Sequence, residues 1–143
     1  MNIKAKEIST KLTEIKENLA RTNQARSKQS SKEAEYKSYY LQAQEYITQQ
    51  NYQQAEKLLK KIINSKEIFD FTSGAYVTLA SIKINHEEEI KKDEIEALLN
   101  MALEINPNNK VAPAVFVILY ILTGDYYQAC KWLQQCKQET TKE

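Results

Sequence analysis

His86 is the single histidine among 143 residues. It is the natural first candidate for chemistry, because imidazole is the one side chain whose ordinary pKa, about 6.5, lies in the physiological range. It stands in Asn85-His86-Glu87-Glu88-Glu89, with no nucleophile and no second ligand at a recognisable spacing, so the segment reads as a solvated loop or helix start rather than a catalytic centre. The glutamate run lacks the alternating spacing of a calcium loop, and adjacent residues on a helix point apart, so it reads as a solvated acidic face. Cys130 and Cys136 are the only cysteines. Six positions apart on one helix, their Cα atoms would be about 9 Å apart at about 1.5 Å per residue, too far for a disulfide. Two cysteines and one distant histidine do not make a structural zinc site. Gly74 and Gly124 are isolated, so no phosphate-cradling loop exists, and Gly124 before Asp125 reads as a turn followed by a helix cap. The nine tyrosines could stack on bases, yet several recur at helical core spacing, and packing explains them better. No catalytic residue, metal site or cofactor is expected.

The composition says what would carry such residues. Gly and Pro number two each, 42% of the residues are apolar and 27% charged, a mixture that favours long helices over turn-rich sheets. Net charge is +1. Residues 1–35 carry eight Lys or Arg against five Glu, while the remainder is slightly acidic. A balance this small and interspersed argues against nucleic acid or an anionic membrane as the main partner. No apolar run approaches the roughly 20 residues needed to span a bilayer; the longest begins at Val111 and ends at Leu122. Free thiols and the absence of a secretory or mitochondrial leader pattern lead us to expect a reducing, intracellular setting, soluble or peripheral, in the cytoplasm or in an organellar assembly.

Residues 3–22 place Ile8, Leu12, Ile15 and Leu19 at spacings of four, three and four, one apolar stripe on a polar helix. The pattern lapses between Thr22 and Ser31, which predicts a linker or a weakly held continuation. Ser30 and Glu33 form a capping-box pair, so a new helix is expected to start there and run to about Gln49. Domains are accordingly drawn as 1–30, an amphipathic helix and linker, and 31–143, a helical domain. Asn51 should cap a following helix with Ala55, Leu58, Leu59, Ile62 and Ile63 on one face.

The strongest signal is repetition. Asn51-Tyr52-Gln53-Gln54-Ala55-Glu56-Lys57-Leu58-Leu59 recurs as Asp125-Tyr126-Tyr127-Gln128-Ala129-Cys130-Lys131-Trp132-Leu133, 74 residues on, leaving room for one unit between. That middle unit shows Tyr76, Leu79 and Ala80, then Leu98, Leu99 and Ala102, closed by Asn106-Pro107.

These residues resemble the tetratricopeptide repeat, with small side chains where paired helices cross: Ala43 and Ala55, Ala80 and Ala102, and Ala129. Tyr46, Tyr52, Leu59, Leu99, Tyr120, Tyr126 and Leu133 fall at the large positions. Val117, Ile95 and Glu67 depart from the pattern, standing where the family has a small residue, Ala and Pro. The resemblance implies an all-α fold, an α-α superhelix of about three helix hairpins plus the N-terminal amphipathic helix, and a protein-binding scaffold rather than an enzyme. Members that clamp acidic chaperone tails use Lys and Asn on inner helices; this chain has Tyr40, Gln44, Thr78, Val111 and Val115 there, so the resemblance does not extend to that role.

Pro113 to Leu122 is apolar all round. In a hairpin stack its helix lines the concave side, so Val115, Phe116, Leu119 and Tyr120 are expected to meet an apolar segment of a partner. Tyr127, Trp132 and Leu133, near the end of a stack without a polar closing helix, are expected to be covered by another surface. The expected role is an adaptor within a multi-subunit protein complex. Alternatives are a small holdase chaperone for a secreted or assembling substrate and an RNA-binding helical repeat using the basic head. Ile8, Leu12, Ile15 and Leu19 either plug the chain's own groove or bind another chain.

Overall fold

Good helix formers without internal Gly or Pro propagate a helix once it is nucleated, because each added residue contributes a hydrogen bond for one pair of dihedrals. The first helix shows how far this carries. The computed structural model describes residues 3–141, and among these the chain forms six helices and no strand: α1 (Ile3–Thr48), α2 (Tyr52–Ile63), α3 (Thr72–His86), α4 (Lys92–Ile105), α5 (Val111–Leu122) and α6 (Tyr126–Thr141).

The helix start expected at Ser30 and Glu33 is absent, since α1 passes through both without a break. The polar stretch from Thr22 is therefore the continuation and not a linker. A capping box acts only where the preceding residue leaves helical geometry, and nothing here forces that. Threonine hydroxyls along α1 bond back to the preceding turn, Thr22 Oγ1 donating to the Asn18 carbonyl at 2.9 Å and Thr48 Oγ1 to that of Gln44 at 3.1 Å.

The chain divides into two compact units, Met1–Glu35 and Tyr36–Glu143, with the boundary inside α1. In the first unit the described side chains are all exposed. The second is an all-α, α-α superhelical arrangement in which successive helices pack as hairpins, α3 on α4 and α5 on α6, with α2 on α3 and α4 on α5 joining them.

Two turns in this unit show the repeat in backbone geometry. After α1, Gln50 takes a left-handed φ of 62° and the Asn51 amide donates to the Tyr46 carbonyl at 2.8 Å. After α5, Gly124 takes φ 80° and the Asp125 amide donates to the Tyr120 carbonyl, again at 2.8 Å. Both are left-handed helix ends that satisfy carbonyls the helix leaves over. Each runs straight into a helix start: Asn51 Oδ1 accepts from the Gln54 amide at 3.4 Å, and Asp125 Oδ1 from that of Gln128 at 3.3 Å.

α3 is the central element. One of its faces adds Ala75, Leu79 and Ile82 to a core with Ala43, Ala55, Leu59 and Ile62. The other adds Val77, Ala80 and Ile84 to a core with Ile95, Leu99, Ala102, Ala112, Val115, Phe116, Leu119, Tyr120 and Ala129. Ala43, Ala55, Ala80, Ala102 and Ala129, the expected crossing residues, are all buried, as close helix approach requires.

Candidate functional site

α5 is positioned by its first turn. Asn109 Oδ1 accepts from the amides of Val111 at 3.0 Å and Ala112 at 3.1 Å. The same side chain donates through Nδ2 to Ser73 Oγ at 2.8 Å, and Ser73 donates to the Ala102 carbonyl at 2.7 Å. One buried serine thus ties the starts of α3 and α5 to the end of α4. Pro113, in the first turn, gives up an amide that would lack a helical partner in any case.

From that start the helix points Ala112, Pro113, Val115, Phe116, Leu119 and Tyr120 inward. This corrects the expectation for four residues: Val115, Phe116, Leu119 and Tyr120 are core, not groove lining. Phe116 stacks on Trp132 at 4.1 Å between ring centroids and on Tyr120 at 5.8 Å, so Trp132 is half-buried in the same packing and is not a free patch. Tyr120 Oη donates to Glu96 Oε2 at 2.6 Å. Burial, and then that hydrogen bond with the Glu96 charge, push the phenol well above its ordinary pKa.

The surface of α5 is its opposite side. Val111, Ile118, Ile121 and Leu122 are 58, 47, 50 and 54% exposed, and with exposed Ala114 they form a single stripe at helical spacing. A polar residue would ordinarily occupy such positions on a surface helix. On α6, Tyr126, Tyr127 and Leu133 are likewise exposed, with Lys131 Nζ 4.6 Å from the Tyr127 ring centroid. The expected site residues therefore separate: Tyr127 and Leu133 are available to another molecule, while Val115, Phe116, Leu119, Tyr120 and most of Trp132 support the stripe from below. Ile118, Ile121 and Leu122 were not singled out by spacing, because a helix apolar all round carries no sign of which side is inside.

In the first unit, Ile8, Leu12, Ile15 and Leu19 are each more than half exposed.

His86 ends α3 and stacks on Tyr52 at 3.5 Å. Tyr36, Tyr40, Phe69 and Phe71 pack as an aromatic group, Tyr36 on Phe69 at 5.4 Å and Tyr40 beside Phe71 at 5.7 Å. The Tyr40 hydroxyl lies against Gly74, where a Cβ would come within 2.9 Å of it. Cys130 is exposed on α6 and Cys136 half-buried, with no disulfide at either. Among the described residues no three His, Cys, Asp or Glu side chains gather as a metal would require, and no helix is long and apolar enough to cross a membrane.

Lys83 is the charged group that spacing did not reveal. Buried within α3, its ammonium lies 3.0 Å from Glu94, 3.3 Å from Glu87 and 3.4 Å from Glu56. Burial opposes the charge, but the hydrogen bonds to Glu94 and Glu87 and the attraction of Glu56 outweigh it and hold the pKa above the ordinary lysine value. In return the Lys83 hydrogen bond draws Glu94 below the usual carboxylate range. The cluster joins α2, α3 and α4.

No family model matches the chain, and no curated protein matches it in sequence.

Proposed function

We propose that this protein is a non-enzymatic adaptor, a tetratricopeptide-like scaffold that holds a protein partner against the exposed apolar stripe of α5, as a subunit of a larger assembly. The observation that carries this reading is the open side of that helix, where Val111, Ile118, Ile121 and Leu122 take places that polar residues would fill on a free surface. The backing is rigid: Phe116 and Leu119 are almost wholly buried beneath the stripe, and Asn109 fixes the helix start. An exposed apolar ridge on a packed backing suits a complementary apolar helix or strand, since little ordering of the scaffold is needed on binding. Tyr126, Tyr127 and Leu133 on α6 extend the apolar area offered by the same unit.

The test is affinity purification of the wild type beside an Ile118→Glu, Ile121→Glu variant. Both side chains are half exposed, so the variant keeps its core, and circular dichroism should superimpose on that of the wild type. A stoichiometric protein recovered with the wild type and lost with the folded variant supports the reading. Equal recovery with both chains removes the α5 stripe from the interface.

A further inference from the structure

The first unit carries an open face of its own, independent of the α5 stripe. Ile8, Leu12, Ile15 and Leu19 are 60, 53, 61 and 59% exposed, and their spacing of four, three and four is that of alternating a and d positions in a heptad. Ala5 extends the seam by one position and Arg26 lies on its line at the other end. The charges around the seam are sorted. At about 100° per residue, Lys4, Lys11 and Lys16 lie within about 70° of its midline, while Glu7, Glu14 and Glu17 lie at least about 110° away, on the side that also holds Lys6 and Arg21. Both flanks are therefore cationic or neutral, and the acids occupy the far side of the helix.

That sorting selects the occupant. In a coiled coil the positions beside the seam meet their counterparts on the other strand and set the choice of partner. A second copy would bring Lys11 towards Lys16 of the other chain when parallel, and cations towards cations when antiparallel, because neither flank holds an acid. A membrane-surface helix has a broad apolar face, commonly with aromatic residues, whereas this seam is narrow and residues 1–35 contain no aromatic side chain. We infer that residues 4–22 form one strand of a heterotypic coiled coil whose other strand is an amphipathic helix with an apolar seam flanked by Glu or Asp. A free helix of this kind is marginal in water, so the partner strand also stabilises the helix it binds.

The full-length chain is titrated, by fluorescence anisotropy, with a labelled synthetic peptide of about four heptads bearing Leu and Ile in the seam and Glu at both flanking positions, and with its Lys-flanked counterpart. The Glu peptide should bind at least about tenfold more tightly at low ionic strength, with the margin narrowing as salt rises. A Lys11→Glu, Lys16→Glu variant should reverse the preference, and Leu12→Asp with Ile15→Asp should abolish binding of both peptides. Trp132 fluorescence, reporting the second unit, should melt alike in every variant, and far-ultraviolet circular dichroism should show the same helix content in each, which separates lost binding from unfolding. The inference is overturned by equal affinity for the two peptides or by binding of neither. Concentration-dependent self-association lost in the Leu12→Asp, Ile15→Asp variant would overturn it in favour of a homotypic contact. Preferential binding to phosphatidylserine vesicles, lost in the same variant, would overturn it in favour of a membrane surface.

Discussion

A buried lysine is tolerated only when its charge is met, and Lys83 meets three carboxylates on α2, on α4 and at the end of its own helix. Lys83→Met keeps much of the volume but leaves those carboxylates facing one another. Breaking a buried ion pair costs about 3–5 kcal/mol, and the partial exposure of the glutamates lowers the expected loss to about 1–3 kcal/mol, measurable by urea denaturation. The pH dependence follows from the two shifts. Glu94 is lowered from 4.5, so its contribution is present above that value and is lost as pH falls through its folded pKa. Lys83 is raised from 10.5, so its contribution is present below that value and is lost only as pH rises through a still higher folded pKa. The melting temperature should be level in mid-range with respect to this cluster and fall on the acid side, with a shallower acid limb in Lys83→Met. Nothing in Ala80-Ser81-Ile82-Lys83-Ile84 indicates that the lysine points inward, because two of its three partners, Glu56 and Glu94, come from other helices. The paired turns differ in the same way. Gly124 announces a left-handed residue, whereas Gln50 hides one with nearly the same φ. Gln50→Gly should stabilise by up to about 1 kcal/mol, and Gly124→Ala, with no atom within 4 Å of the added Cβ, should destabilise by about 1–2 kcal/mol from backbone strain alone. Thermal melts of the two variants check both signs.

At the scale of the element, α5 separates what periodicity can and cannot say. Its wholly apolar sequence identifies a helix, but with no polar residue to mark solvent, the face assignment rests on neighbours far along the chain. Trp132 stacks on Phe116, and Ser73 meets Asn109; neither pairing can be read from α5 itself. The expectation consequently placed Phe116 and Leu119 outward and left Ile118 and Ile121 unremarked. The two faces should respond oppositely to substitution. Phe116→Ala opens a cavity under the stacked rings and should cost about 3–5 kcal/mol, whereas Ile118→Ala and Ile121→Ala should each change stability by about 0.5 kcal/mol or less. Chemical denaturation of the three variants compares them directly. α1 gives the complementary lesson: the capping pair at Ser30 and Glu33 is genuine as a pattern, but a helix already under way passes through it at little cost.

For the whole molecule, repetition was the most legible property. The recurrence beginning at Asn51 and Asp125 located two helix starts, and the alanines expected at the crossings are all buried. The second unit contains both hydrophobic cores, so residues 36–143 should fold as a cooperative helical domain when expressed alone, with a single thermal transition by circular dichroism. Loss of that transition would mean that the cores need residues before Tyr36. The reach of the open surfaces was not legible, because exposure is a property of the packed unit and not of a residue type. The proposed scaffold role is tested most directly by a photo-crosslinking amino acid placed at Ile118, with the exposed Lys57 on α2 as the control position. One protein crosslinked from position 118 and not from position 57, in cells producing the full-length chain, is the result expected of a docking ridge on α5. No crosslink from 118, or the same products from both positions, would contradict it.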